Sequence, residues 1–151
     1  MRASNVPVTD SRYTVAKMLS KASRVVLDTL LPSGANPRLP LGIFDAGFEA
    51  FWADLERTAL PAWRWGFQAA VFTAVWVAPL LIRRLPPLTR LDRPTRERAL
   101  AALGASRAAV LRQMLTLLKT IAGFCYGANP RVREAIGYPR QRNPPRPEAA
   151  P

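Results

Sequence analysis

Cys125 is the single thiol among 151 residues, and histidine is absent. A cysteine attacks as its thiolate, but this one sits in the apolar run Ile121-Ala-Gly-Phe-Cys-Tyr126, which reads as a buried, inert thiol. The missing imidazoles remove the commonest general base, proton shuttle and transition-metal ligand. One cysteine also leaves no internal disulfide, Cys-based zinc site, iron–sulfur cluster or c-type haem attachment. There is no Gly-rich phosphate loop, no Ser/His/Asp set and no facing pair of helical carboxylates. Asp28 and Asp45 stand alone near expected helix ends, where capping or ion pairing is their natural work. The expectation is a chain that is not an enzyme in its own right, with no catalytic, cofactor-binding or metal-binding residue.

What remains is the chemistry of attachment. Trp63, Trp65, Phe67 and Trp76 crowd one segment, which ends on Arg83 and Arg84. Tryptophan and arginine are enriched at binding hot spots, so these six are the candidate partner-binding residues; the competing reading is that the aromatics fill this protein's own core. Arg93, Arg96 and Arg98 form a second basic cluster, able to hold phosphate or carboxylate or to serve as a solvated face. The formal charge is +12, and it is lopsided: residues 83–151 hold 14 basic and 4 acidic side chains, residues 1–82 hold 8 and 6. Such an imbalance asks for an acidic counterpart in a protein, a lipid surface or a nucleic acid. Nucleic acid fits the charge but not the layout, since there is no basic recognition helix and no aromatic stacking platform. The preference for Arg over Lys also fits a GC-rich genome, which does not explain the scarcity of acids.

The elements that must position these residues are helical throughout. With 49% hydrophobic residues in one domain's length, the chain has a core to bury. Residues 1–12 read as a flexible arm, 13–138 as the helical domain, and 139–151 (PRQRNPPRPEAAP) as a disordered Pro/Arg-rich tail. From Thr14, apolar residues recur at helical spacing to Leu30, and Pro32, Ser33 and Gly34 stop that helix. Residues 32–42, with three prolines and two glycines, form a loop. Ile43, Phe44, Phe48, Phe51, Trp52 and Leu55 predict a second helix with a core-facing aromatic stripe. Pro61 suits the first turn of a third. Between Gly66 and Ile82 lie 17 residues without a charge, short of the roughly 20 that span a bilayer. Three readings stay open for that stretch: a buried central helix, a membrane-inserted or re-entrant one, or a face covered by a partner. Pro79 kinks it in each case.

Asp92 and Pro94 predict a helix start, and Gly104 a left-handed stop. Ser106 predicts the cap of a long helix lined by Val110, Leu111, Met114, Leu117, Leu118, Ile121 and Phe124. Asn129-Pro130 opens a last short helix, closed by Gly137-Tyr-Pro139. The fold class is therefore all-α: an irregular bundle of about five or six helices with a long apolar central helix and disordered termini.

Five segments carry a resemblance. They are Val26-Leu-Asp-Thr-Leu-Leu-Pro32, Leu91-Asp-Arg-Pro-Thr-Arg-Glu-Arg-Ala-Leu100, Leu118-Lys-Thr-Ile121, Tyr126-Gly-Ala-Asn-Pro-Arg-Val132 and Ile136-Gly-Tyr-Pro139. In this order, over roughly residues 15 to 139, the chain resembles the gluconate 2-dehydrogenase subunit 3 family. Similar segments also precede the flavin domain of long-chain alcohol oxidases. The resemblance implies a small helical subunit in a hetero-oligomer with a large FAD-containing dehydrogenase of the glucose-methanol-choline type. The FAD would sit in that partner, and this chain would bind, stabilise or dock it. Family members commonly open on a twin-arginine export signal, and the N-terminus here lacks an apolar stretch behind paired arginines. The expected location is cytoplasmic or peripheral at the inner membrane, or wherever a signal-bearing partner carries it. The alternative reading is a membrane-anchored or membrane-surface helical protein using residues 66–82 and the Arg-rich half.

Overall fold

A computed structural model describes residues 21–37 and 39–137. The expected arm at 1–12, the tail at 139–151 and the start of the first helix at Thr14 lie outside those residues. Among the described residues the protein is all-α, apart from one isolated bridge between Asn36 and Leu39. Helix α1 covers residues 21–30 of that span. Six complete helices follow: α2 (Phe48–Thr58), α3 (Pro61–Phe72), α4 (Ala78–Leu81), α5 (Arg93–Gly104), α6 (Ala109–Ala128) and α7 (Pro130–Ala135). A π-helical turn, Thr73–Val77, joins α3 to α4, and a 3-10 turn, Leu88–Arg90, precedes α5.

Helix α6 is the post of the bundle, with α3, α5 and α7 all packed on it, while α4 lies on α5. Its inner side is Leu115, Leu118, Ile121, Ala122 and Cys125. Val110 and Phe124, expected on that side, are 61% and 55% exposed; the helix turns them to water because Leu115 and Ala122 take the places against its neighbours. At the other end of the core, Val26 and Leu27 of α1 are fully buried.

Side-chain capping follows the prediction at α5 and α7. Asp92 caps α5 by accepting from the Thr95 amide, and Pro94 follows in the first turn. Asn129 caps α7, its Oδ1 accepting from the amides of Arg131 (2.8 Å) and Val132 (3.4 Å). Ser106, by contrast, only closes a tight turn to the Ala108 amide, and Ala108 starts α6 without a side-chain cap. Gly104 is not a left-handed stop: its φ is not positive, and it lies in the last turn of α5. A Cβ there would come to 3.0 Å from Leu115 Cδ2, so the glycine lets α5 meet α6 closely at this point.

The second helix begins at Phe48 rather than Ile43. Asp45 is drawn back instead to the loop after α1, accepting from Ser33 Oγ and, at 2.8 Å, from the Gly42 amide. Gly47, at φ 82°, then turns the chain into α2. Ile43 and Phe48 nevertheless reach the core, with Phe44, Phe51 and Trp52 packed against it. The loop is fastened from the far end of the chain as well, since Tyr126 Oη donates to Leu41 O and Asn129 Nδ2 donates to Ala46 O at 2.9 Å.

These bonds give the loop a pH dependence. The Ser33 hydroxyl and the Gly42 amide hold the Asp45 carboxyl below the usual aspartate range. A depressed folded pKa means the loop's stabilisation is complete above the ordinary aspartate value and is lost as pH falls through the folded one. An acid titration followed by amide exchange is expected to show residues 33–47 loosening only below about pH 4, and Asp45→Asn to remove that step.

Candidate functional site

The expected long apolar central helix is not present as one element. Pro79 has no amide hydrogen to continue the α-helical ladder, and the turn before it widens to the π form over Thr73–Val77 before α4 resumes. No helix among the described residues is long and apolar enough to cross a membrane.

The segment has two faces. Phe67, Ala70, Val71, Ala74, Val75, Ala78 and Pro79 point inward. The three alanines, spaced by four, are fully buried; small side chains let the helix axis come close to its neighbours. Gly66 extends that contact, since a Cβ on it would lie 3.3 Å from Leu117 Cδ2. The bulky residues turn the other way, Trp65 being 72% exposed, Phe72 59%, Trp76 51% and Leu80 55%. The Phe72 and Trp76 rings lie 6.4 Å apart on this side. Thr73, beside this stripe, spends its hydroxyl on Ala69 O.

Of the six candidate residues, the structure thus brings Trp65, Trp76, Arg83 and Arg84 to one exposed segment, with Trp63 at its N-terminal edge. Phe67 is separated from them: 5% exposed, it packs against Trp52 with ring centroids 4.2 Å apart, on the other side of the helix. Phe72 and Leu80 were missed. An all-round apolar helix does not announce which side is out, but the alanine spacing of 70, 74 and 78 marks the packed side and leaves 65, 72, 76 and 80 opposite.

Arg83 ends the stripe at φ 58°, the one non-glycine residue at positive φ among those described. It terminates α4 in the left-handed geometry that glycine adopts without a Cβ penalty, and the Arg84 amide bonds back to Pro79 O at 3.0 Å. Arg83→Gly is expected to raise stability by about 1 kcal/mol, read as a higher melting temperature.

A groove of about 350 Å³ lies between α1, α2 and α3, floored by Phe44, Phe48, Trp52 and Phe67. Its rim carries two exposed ion pairs, Arg24–Glu49 and Arg64–Glu56, which neutralise each other. Arg93, of the second basic cluster, pairs with Glu97 at 3.2 Å, and Arg98 donates to Thr95 Oγ1, so these side chains are engaged on their own helix. Among the described residues no three His, Cys, Asp or Glu side chains come together as a metal site would require.

Cys125 is 1% exposed, and burial raises its thiol pKa. The thiolate is therefore disfavoured at neutral pH. A disulfide reagent is expected to leave the native protein unlabelled and to titrate one thiol after denaturation, with no gain in reactivity until the pH is well above the ordinary thiol range.

No family model, curated protein or solved structure matches this chain.

Proposed function

We propose that the protein is a non-catalytic docking subunit that holds an FAD-dependent alcohol, sugar or sterol-type dehydrogenase of the glucose-methanol-choline type at its place of work. The observation that carries this reading is the stripe Trp65, Phe72, Trp76 and Leu80, displayed outward by a helix whose other face is packed, an apolar face by which the subunit, together with the dehydrogenase it carries, attaches where it works. Large apolar side chains gathered on one exposed face mark an attachment surface. None of the four belongs to the buried core of the bundle.

The segments that resemble the gluconate 2-dehydrogenase subunit 3 family support the identity of the partner. They act together in this fold: Asp92 starts α5, Asn129 starts α7, and Tyr126 and Asn129 fasten the loop after α1. A resemblance concentrated in residues that set helix starts and tie distant loops is one of architecture. The FAD belongs to the partner in this reading, and this chain supplies shape, apolar surface and positive charge.

The test is isolation of the full chain, tagged at its own locus, under conditions that keep membranes intact. The expected result is a stoichiometric large polypeptide with the yellow absorbance of bound flavin. A colourless preparation, with dehydrogenase activity unchanged in cells lacking this chain, overturns the reading.

A further inference from the structure

We infer that the α3–α4 stripe is a seat for an anionic lipid bilayer, on which the helical segment lies flat with Arg83 and Arg84 at the headgroups. The inference takes from the proposed function only that the stripe is a contact surface.

Three features of the stripe select this occupant. The first is charge. From Arg57 to Leu91 there are five arginines and no acidic residue. Arg64 is paired with Glu56 at 3.9 Å, whereas Arg83 and Arg84 stand exposed where the stripe ends. A surface that meets this face must be negative, and each basic residue near an anionic leaflet adds a roughly five-fold preference. The second is the scarcity of polar groups. Trp65 to Leu80 spans about 22 Å of helix, and the one hydroxyl beside it, that of Thr73, is already bonded to Ala69 O. A protein partner would bring on the order of ten hydrogen bonds to an interface of ordinary size, and between its ends this strip offers only the indole N–H groups of Trp65 and Trp76 to meet them, which suit a headgroup boundary equally well. A lipid interface asks for none: Trp, Phe and Leu on one side with arginine at the margin is the composition of a helix lying in the headgroup plane. The third is shape. The stripe is the convex side of one helix, while the concave aromatic surface lies elsewhere, between α1, α2 and α3. A second copy of the chain is disfavoured because each would bring a net charge of +12 to the contact.

The uncharged run thus works by lying on a membrane rather than crossing it. Arg83 closes the apolar strip abruptly: its left-handed turn ends α4 directly after Leu81 and Ile82, so charge follows apolar surface without an intervening turn.

The purified full chain, without any flavoprotein, tests this by flotation with vesicles. Vesicles of phosphatidylcholine doped with phosphatidylglycerol are expected to carry it to the top of the gradient, with a blue shift of tryptophan emission, and vesicles of phosphatidylcholine alone to bind it far more weakly. Arg83→Gln with Arg84→Gln is expected to weaken binding to the anionic vesicles roughly 30-fold. Trp76→Gln with Leu80→Gln is expected to abolish it at an unchanged melting temperature, and high salt or an alkaline wash to release the bound wild type. The inference is overturned if the wild-type chain stays at the bottom with both kinds of vesicle, if it binds both equally, or if the stripe substitutions leave flotation intact. Capture by immobilised polyglutamate without vesicle binding would assign the face to an acidic protein, and a stripe-dependent dimer in sedimentation would assign it to a second copy; either overturns it. Should the wild-type chain fail to float while still co-isolating with flavin, the bilayer seat falls and the docking function stands; the opposite pair of results separates them the other way.

Discussion

Leu118→Ala is expected to cost 2–5 kcal/mol, lowering the melting temperature of the isolated chain by roughly 5–15 °C. Leu118 is fully buried on α6, the helix that α3, α5 and α7 share. Truncating it opens a cavity in the packed core of the bundle, which its surroundings fill only in part. The matched control is Leu80→Ala, which removes the same atoms from a side chain that is 55% exposed. That change is expected to move the melting temperature by no more than about 2 °C, because surface substitutions away from special features stay within ±0.5 kcal/mol. The contrast separates residues that build the bundle from residues the bundle displays.

Asn129→Ala is expected to be the most damaging polar substitution, at about 2–3 kcal/mol. The Oδ1 atom caps α7 through the amides of Arg131 and Val132, while Nδ2 donates to the carbonyl of Ala46. Losing an N-cap of this kind costs about 1 kcal/mol, and leaving the Ala46 carbonyl, in a residue 6% exposed, with only the weak Cys125 thiol donor at 4.0 Å costs about a further 1–2 kcal/mol. Asn129→Asp keeps the cap but points a carboxylate oxygen at the Ala46 carbonyl, so it is expected to fall between wild type and alanine. Amide exchange checks the mechanism: in Asn129→Ala, protection should fall both in α7 and around residues 42–47, although these lie some 83 positions apart in the chain.

The legible parts of the sequence were those settled by neighbours in the chain. Asp92 with Pro94 and Asn129 with Pro130 announce helix starts because a side-chain oxygen two or three residues before the amide it serves is enough to make a cap. What contradicted the sequence reading was settled at a distance. Ile43 looked like the start of α2 from its spacing with Phe44 and Phe48, but Asp45 answers to Ser33, 12 residues back. Gly104 looked like a stop, yet its missing Cβ makes room for Leu115 on the next helix. The proposed attachment surface was half legible for the same reason. Trp65, Trp76, Arg83 and Arg84 were singled out by type, and Phe67 with them, because a segment apolar all round carries no moment to orient it. Only tertiary packing decides that Phe67 goes in, against Phe48 and Trp52 of α2, while Phe72 and Leu80 stay out.

The claim that this protein works by attachment rather than by chemistry is tested most directly by stripping the stripe in living cells. Trp65, Phe72, Trp76 and Leu80 are all changed to glutamine at the native locus, and two quantities are read together: the melting of the purified chain and the dehydrogenase activity of the membrane fraction. The account expects cooperative melting at a temperature no lower than wild type, together with loss of membrane-bound activity comparable to deleting the chain. Normal melting with membrane activity fully retained would contradict it.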